Sequence, residues 1–391
     1  MAPLGACPDT TNWCHSRHSP TAPSLKLVLK STPHRVLVVG AGPSGTACAA
    51  TLHALGHEVT VVDKATFPRD KCCGDGLTTN ALRILDHLGF DRTRVADWQE
   101  CDTIQLRSPQ GALIQTSLPD IGGTFAAIAP REQLDFALVQ HCRDLGISIH
   151  EGAAFVSMPQ NNATGIAIEI EGMGVLEVDY VVAADGMWSP IRKSLGLSSP
   201  GYLGELHSFR QYIGNVTGSA TNKLHIWFDK DLLPGYAWSF PLPNNRANFG
   251  FCIQRSKDHS VQFMNRTWSD LLTRAHIVEA LGEGFTPEGR HTAWPIPARI
   301  DSAVRSSGRV LFIGDAVGAC DILTGEGIGQ ALETGIAAAN AIHQGETPAD
   351  VRAAYSRSLD KTLLADHRMA AALAFMMSYR LVARFVLALV N

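Results

Sequence analysis

The residues of this chain most suited to chemistry are three glycines and an acid near its start. Gly40-Ala41-Gly42-Pro43-Ser44-Gly45 has G-x-G-x-x-G spacing. In such a turn the first glycine permits a tight bend, the second lets backbone approach a pyrophosphate, and the third allows close helix–strand packing. Phosphate charge then meets the free N–H groups and dipole of a helix N-terminus. Asp63-Lys64 follows about 20 residues on, where a carboxylate accepts from adenosine ribose hydroxyls. Gly40, Gly42, Ser44, Gly45, Asp63 and Lys64 are therefore candidates for the ADP end of a dinucleotide site. They do not by themselves separate NAD from FAD.

Two distant segments make that separation. Val310-Leu311-Phe312-Ile313-Gly314-Asp315-Ala316 reads as a strand ending in a small residue and an acid suited to a ribityl chain. It leads into Thr324-Gly325-Glu326-Gly327-Ile328-Gly329, a glycine-rich helix start whose N–H groups suit a flavin pyrimidine. Donors placed there stabilise the negative charge that reduced flavin develops near N1. Gly314, Asp315, Gly325, Gly327 and Ile328 join the cofactor candidates, and the cofactor they describe is FAD.

Elements must bring these segments together. Arg35–Val39 is a short β-branched run suited to a buried parallel strand, 44–55 an alanine-rich helix stopped by Gly56, and Glu58–Val62 a second strand. A helix is expected over 131–145, strands over 147–149, 155–158 and 180–183, and an exposed hairpin arm over 166–171. From Ser208 the alternation becomes antiparallel and half-exposed, as in Leu224-His225-Ile226-Trp227-Phe228. Strands 236–242 and 247–253 would form a hairpin across Asn244-Asn245, with one helix over 261–281, a last buried strand over 309–313 and a helix over 328–343. The expected class is α/β: a discontinuous Rossmann-like FAD-binding domain (34–80, 120–200 and 300–345), an inserted antiparallel β-sheet substrate domain (81–119 and 201–299), and C-terminal helices (346–391).

Composition narrows the partners. A formal net charge of -4 and a pI near 6.4 give no electrostatic case for nucleic acid. Nine cysteines, an odd count without paired metal-type spacing, read as reduced thiols of a cytoplasmic protein, with no metal site. Residues 1–33 mix Pro, Ser, Thr and His and read as a disordered leader; Cys7, Cys14, His15 and His18 match no zinc pattern. Met369–Val390 is apolar but carries Arg380 and Arg384 near its middle, which argues against a spanning helix. Two readings stay open for it: cover for the core, or peripheral contact with a membrane surface.

The glycine turn, the V-V-A-A-D-G segment ending at Gly186 and Gly314-Asp315-Ala316 together resemble the p-hydroxybenzoate-hydroxylase-type flavoprotein superfamily. Within it, Phe67-Pro68-Arg69-Asp70-Lys71-Cys72-Cys73-Gly74-Asp75-Gly76-Leu77, Gly235-Tyr236-Ala237-Trp238-Ser239-Phe240-Pro241 and Leu323-Thr324-Gly325-Glu326-Gly327 resemble the geranylgeranyl reductase family. The likeness runs over about residues 34 to 345. It implies that Arg131 and Asp185 also lie near FAD, that Cys73 sits beside the flavin, and that Tyr236, Trp238, Phe240 and Pro241 line a substrate cavity. The sequence departs from the family at Leu242-Pro243-Asn244-Asn245, which replaces a Lys-Gly-Asp type ending, and the doubled Cys72-Cys73 blurs which thiol aligns. Cys73 also reads as an inert buried thiol, and alternation of Tyr236, Trp238 and Phe240 suits a plain core as well as an apolar wall.

The leading reading is a flavin-dependent reductase of C=C bonds in an apolar, isoprenoid-like substrate, with Cys73, Tyr236 and Trp238 as catalytic candidates. NAD(P)H or a reduced ferredoxin-like carrier would act as a transient donor. The alternative is a monooxygenase (hydroxylase) acting through a flavin C4a-hydroperoxide. A halogenase ranks lower, because Tyr236 and Phe240 replace residues of a W-x-W-x-I-P element, and a non-catalytic FAD-binding redox protein is a third class.

Overall fold

A computed structural model describes residues 32–119, 123–162, 164–256 and 259–378. The cysteine–histidine cluster of the leader and the second half of the apolar C-terminal stretch lie outside these residues.

Short β-branched runs form the centre of a parallel sheet, because strands apolar on both faces need cover on both. Strands β1 (Arg35–Val39), β2 (Glu58–Asp63), β8 (Ser148–Glu151), β12 (Tyr180–Ala183) and β19 (Val310–Phe312) run parallel, and β18 (Ser306–Ser307) closes antiparallel on β19. Their order is β18-β19-β12-β1-β2-β8, so the two strands that precede glycine-rich turns, β1 and β19, flank β12. Helix α1 (Pro43–Ala54) packs along α7 (Ile328–Gln344), and with α3 (Arg131–Asp144) they enclose a cluster including Ala47, Leu134, Leu138 and Leu332. Helix α2 (Thr79–His87), which begins next to the segment expected to go with the substrate domain, buries Ala81, Leu82 and Leu85 in this same cluster.

A three-stranded sheet of β9 (Phe155–Asn161), β10 (Ile166–Ile170) and β11 (Gly174–Val178) covers part of the main core. The arm over 166–171 is not exposed: its alternation aims Ile166, Ile168 and Ile170 inward, and all three are buried. A smaller sheet joins β3 (Gly76–Thr78), β7 (Ala126–Ile128) and β4 (Gln99–Glu100).

The seven-stranded sheet has the order β17 (Thr286–Ile296), β13 (Leu206–Gly214), β16 (Arg246–Gln254), β15 (Tyr236–Leu242), β14 (Leu224–Trp227), β5 (Thr103–Arg107) and β6 (Leu113–Ser117). Every pairing is antiparallel except β14 with β5. The β15–β16 hairpin turns at Asn244 and Asn245, both at positive φ (62° and 56°), as a tight hairpin turn requires. One face of the sheet packs on α5 (Val261–Leu271) and α6 (Ala275–Leu281). The single helix expected over 261–281 is broken because Arg274 is extended, with its guanidinium gripped by Asp229, Asp231 and Asp270.

Helix α4 (Pro190–Ser194) follows β12, and α8 (Pro348–Leu359) starts at a Thr347/Asp350 capping box. It continues through a π-helical turn, Asp360–Leu364, into α9 (Ala365–Met377). Among the described residues no helix is long and apolar enough to cross a membrane. Both large sheets lie in one compact unit that begins at Pro33.

Candidate active site

The turn between β1 and α1 admits only glycine at two points. Gly40 has φ +110°, and a Cβ there would stand 2.2 Å from the Ala184 carbonyl oxygen; one on Gly45 would stand 1.8 Å from the Gly40 carbonyl oxygen. Gly42 differs: its Cβ direction is open, with the Arg69 guanidinium 3.8 Å away. The N-terminus of α1 has no side-chain cap, so an anion placed there meets backbone N–H groups and a cation together. Arg69 pairs at 2.9 Å with Asp135, which is fully buried and also takes two bonds, of 2.7 and 2.8 Å, from Arg131. Burial alone would raise the Asp135 carboxyl, yet Arg131 and then Arg69 hold it below its ordinary range. Two guanidinium groups against one carboxylate leave net positive charge beside the turn.

Asp63 faces this turn but is already engaged, accepting from the Ala41 N–H at 2.7 Å and the Ala65 N–H at 2.8 Å. Its carboxylate braces the glycine loop, with lone pairs remaining for a ribose. Lys64 is exposed. Arg131, expected to reach a cofactor, turns its side chain along α3 to Asp135.

The second glycine-rich segment arrives beside the first. A Cβ on Gly314 would stand 2.7 Å from Ser44 Oγ, so residues 270 positions apart in sequence are neighbours. Asp315 accepts from Lys71 Nζ at 2.9 Å and from the Cys320 thiol at 3.5 Å. Burial would raise its carboxyl, but the Lys71 ammonium holds it below its ordinary range. Asp185 follows β12, next to Gly40. Its Oδ2 accepts from the Ile191 N–H at 3.1 Å, while Oδ1 is buried without a partner among the described residues. Burial pushes this carboxyl up to about 6. An open turn backed by arginine, a buried acceptor lacking its partner and a nearby Asp315–Lys71 pair fit a phosphate-bearing, hydroxyl-rich cofactor. FAD fits this set of residues.

At the start of α7, Gly325 has φ +69° and faces Ile296, Cys252 and Leu206. The Gly329 N–H, expected to face a flavin ring, is taken by Glu326 at 3.2 Å, and the Glu326 carboxylate also accepts from Thr78 at 2.9 Å. Ile328 is a core residue, buried with Leu77, Ala81 and Leu332, because α7 must pack its apolar stripe. Gly327 lies against the Cys320 thiol.

Opposite stands one face of the seven-stranded sheet. Tyr236, Trp238 and Phe240 share that face, with Tyr236 hydroxyl donating to the Thr324 carbonyl. Gly74 and Gly76 lie against the Phe240 ring, 3.4 and 3.3 Å from a Cβ at each, which puts the Cys73 turn directly on this wall. Buried Asp75, at φ +63°, anchors the turn by accepting from Tyr212 (2.8 Å) and Asn248 (2.7 Å). The Cys73 carbonyl accepts from Arg210 Nε at 3.1 Å and Asn248 Nδ2 at 2.9 Å. Burial pushes the Cys73 thiol, the Tyr236 phenol and the Asp75 carboxyl upward, the last to about 6. The seven cysteines among the described residues are free thiols.

Cys73, Tyr236, Trp238 and Gly325 are thus brought together, as are Gly40–Gly45 with Gly314 and Asp185. The sequence reading missed Arg69, Lys71, Asp75, Arg210, Tyr212 and Asn248 as members of the site. The signal for Arg210 and Tyr212 was present: on β13 they alternate with Phe209 and Ile213, so a polar row occupies a buried face.

Two large sheets, one parallel with a dinucleotide turn and one with an apolar wall facing it, define the class as a flavoprotein. Residues 34–355 match the FAD binding domain family. The chain is 31% identical over 325 residues to a menaquinone reductase of Mycolicibacterium smegmatis, covering 79% of this chain and 76% of that protein. It is 26% identical over 338 residues to a digeranylgeranylglycerophospholipid reductase of Methanosarcina mazei, covering 81% and 76%. A solved geranylgeranyl bacteriochlorophyll reductase-like protein from Thermoplasma acidophilum shares the fold with TM-score 0.76 at 19% identity, over 88% of each chain. So does the flavin-dependent halogenase CmlS, with TM-score 0.72 at 23% identity, covering 86% of this chain and 64% of the halogenase. The chain belongs to the FAD binding domain family and is an FAD-dependent oxidoreductase.

Proposed function

We propose that this enzyme reduces C=C bonds in an apolar, isoprenoid-like substrate. The observation that carries the proposal is the apolar wall of Leu206, Trp238 and Cys252, with Tyr236, Phe240 and Ile296 against it, facing Gly325 and the Cys73 turn. The names of the menaquinone and digeranylgeranylglycerophospholipid reductases support the same substrate class. When bound, FAD would supply the hydride; NAD(P)H by hydride transfer, or a reduced ferredoxin-like carrier by two one-electron deliveries with a proton from water, would restore it by transient docking. Gly40, Gly42, Ser44, Gly45 and Arg69 would hold its pyrophosphate, Asp63 and Lys64 flank the adenosine end, and Asp185, Gly314 and Asp315 would hold the ribityl side. Gly325, Gly327 and the backbone at Ile328 would border the ring, with Arg131 acting through Asp135.

An isolated alkene offers no oxyanion, so positioning in a dry cavity must lower the barrier. One alkene carbon takes hydride and the other takes a proton. Cys73 Sγ and Tyr236 Oη keep their protons at neutral pH because burial raises both; Tyr236 lies on the wall, and the turn that carries Cys73 abuts it. The Tyr236 proton is tethered to the Thr324 carbonyl, whereas the Cys73 sulfur accepts from the Arg131 side chain, which leaves the thiol proton as the freer donor.

The test is to reduce the purified protein anaerobically and add a geranylgeranyl-bearing lipid. Stopped-flow absorbance should show the flavin reoxidising as product two hydrogens heavier accumulates. No reoxidation by lipid, together with labelled oxygen appearing in product when air is admitted, would establish the hydroxylase instead.

A further inference from the structure

We propose that Asn248 is a positioning residue that fixes the aromatic wall and the Cys73 turn relative to each other. It lies on β16, fully buried, in register with Phe240. Its Oδ1 accepts from Trp238 Nε1 at 3.1 Å. Its Nδ2 donates to the Cys73 carbonyl at 2.9 Å and to Asp75 Oδ2 at 2.7 Å. Both amide protons and the carbonyl are therefore committed, and one planar group sets the indole on one side and the thiol-bearing turn on the other. Among the described residues no other anchor touches all three partners. Arg210 also holds the Cys73 carbonyl, and Tyr212 also holds Asp75, but neither reaches Trp238.

The chemistry of the partners dictates an amide. Leucine of similar volume would strand a buried indole N–H and remove a donor from Asp75. Aspartate would keep the indole bond but place a second carboxylate against Asp75, among Arg210, Arg131, Tyr212 and Cys73. Only a neutral group that both donates and accepts at this length satisfies the set. The role in turnover rests on the proposed reading of Cys73 and Trp238 as substrate-facing, whereas the geometric role does not.

Two variants, Asn248→Leu and Asn248→Asp, are compared with the wild type in the FAD-loaded full chain. Cys73 alkylation by iodoacetamide, mapped by peptide mass spectrometry, should speed up severalfold in both at pH 8 as the turn loses its brace. In Asn248→Asp the rate relative to wild type at the same pH should fall back as the pH drops below 6, because a protonated carboxyl can donate to the Cys73 carbonyl again; Asn248→Leu has no donor there at any pH and should keep the larger ratio, even as Asp75 protonates. Flavin content should be unchanged, since the glycine turn is untouched, while kcat for alkene reduction falls on the order of 100-fold with a smaller change in KM. Wild-type thiol reactivity in the variants would overturn the proposal. Should Asn248→Leu fail to fold, the pH-dependent return in Asn248→Asp still decides it. If the wild type reduces no alkene, the functional reading fails alone, and the thiol measurement continues to judge the positioning role.

Discussion

The same three strands, β13, β15 and β16, show two unlike faces. Toward α5 and α6 they present Phe209, Ile213, Phe249, Phe251 and Ile253, packed with Met264, Trp268 and Leu271. Ring centroids there lie 5.4 Å apart for Phe249–Trp268 and 5.6 Å for Phe209–Phe251, in tilted pairs. Toward the glycine turns the strands present Arg210, Tyr212, Trp238 and Asn248, each tied by hydrogen bonds to a named partner. Non-directional burial holds the first face, and it tolerates exchange of shape at constant volume. Directional bonds hold the second, and each group there has one acceptable location. Stability and geometry are thus assigned to opposite sides of one sheet.

The largest expected effect comes from breaking the aromatic face. Phe249 is fully buried, so Phe249→Ala should cost about 3–5 kcal/mol, read from urea unfolding, through lost transfer energy and the cavity left behind. Flavin reduction per folded molecule should be unchanged. A variant that unfolds no earlier but loses activity would reverse the assignment of roles.

A smaller, pH-dependent effect belongs to the other face. Burial raises Asp75 from 3.8 to about 6, against the opposing pull of Arg210, Tyr212, Asn248 and Arg131. Because its folded value exceeds its unfolded one, the stability it contributes is fully present below about pH 4 and lost as pH rises through 6. The Tyr212 hydroxyl bond favours the ionised form, so Tyr212→Phe should push Asp75 higher still. Its cost in urea unfolding should be about 1–2 kcal/mol larger at pH 8 than at pH 4, where the carboxyl is protonated in both proteins. An equal cost at the two pH values would mean that Asp75 does not ionise in the folded state.

What the sequence revealed follows from the range of the interactions involved. Gly40, Gly42 and Gly45 are legible because turn, phosphate seat and helix packing are all local demands written within six positions. The apolar runs of β1, β12 and β19 are legible because a buried parallel strand needs no partner to be recognised. The pairing of β5 with β14 is different: Ile104 meets Leu224 across 120 residues, and no local pattern marks it. The break at Arg274 depends on Asp229 and Asp231, which lie in another part of the chain. Asn248 was invisible for the same reason, since its three partners lie 10, 173 and 175 positions away. Ile328 misled because one glycine-rich segment serves two ends: its backbone begins α7 near the site while its side chain completes the core.

The smallest effect tests the contrast by reversing its sign. Ser239 lies on β15 between Trp238 and Phe240, so it points to the aromatic side, in register with Phe249. It is fully buried, and its Oγ has no hydrogen-bond partner among the described residues. A buried hydroxyl without a partner carries its desolvation cost uncompensated, whereas a paired one recovers it. Ser239→Ala removes the oxygen with almost no change of volume, and should therefore stabilise the protein by about 1 kcal/mol. Removing a hydroxyl from the opposite face, as in Tyr212→Phe, should destabilise it at neutral pH. Urea unfolding of the two single variants measures both signs under one set of conditions. If Ser239→Ala lowered stability as Tyr212→Phe does, the aromatic face would contain a hidden polar contact, and the division between a face that packs and a face that positions would not hold at β15.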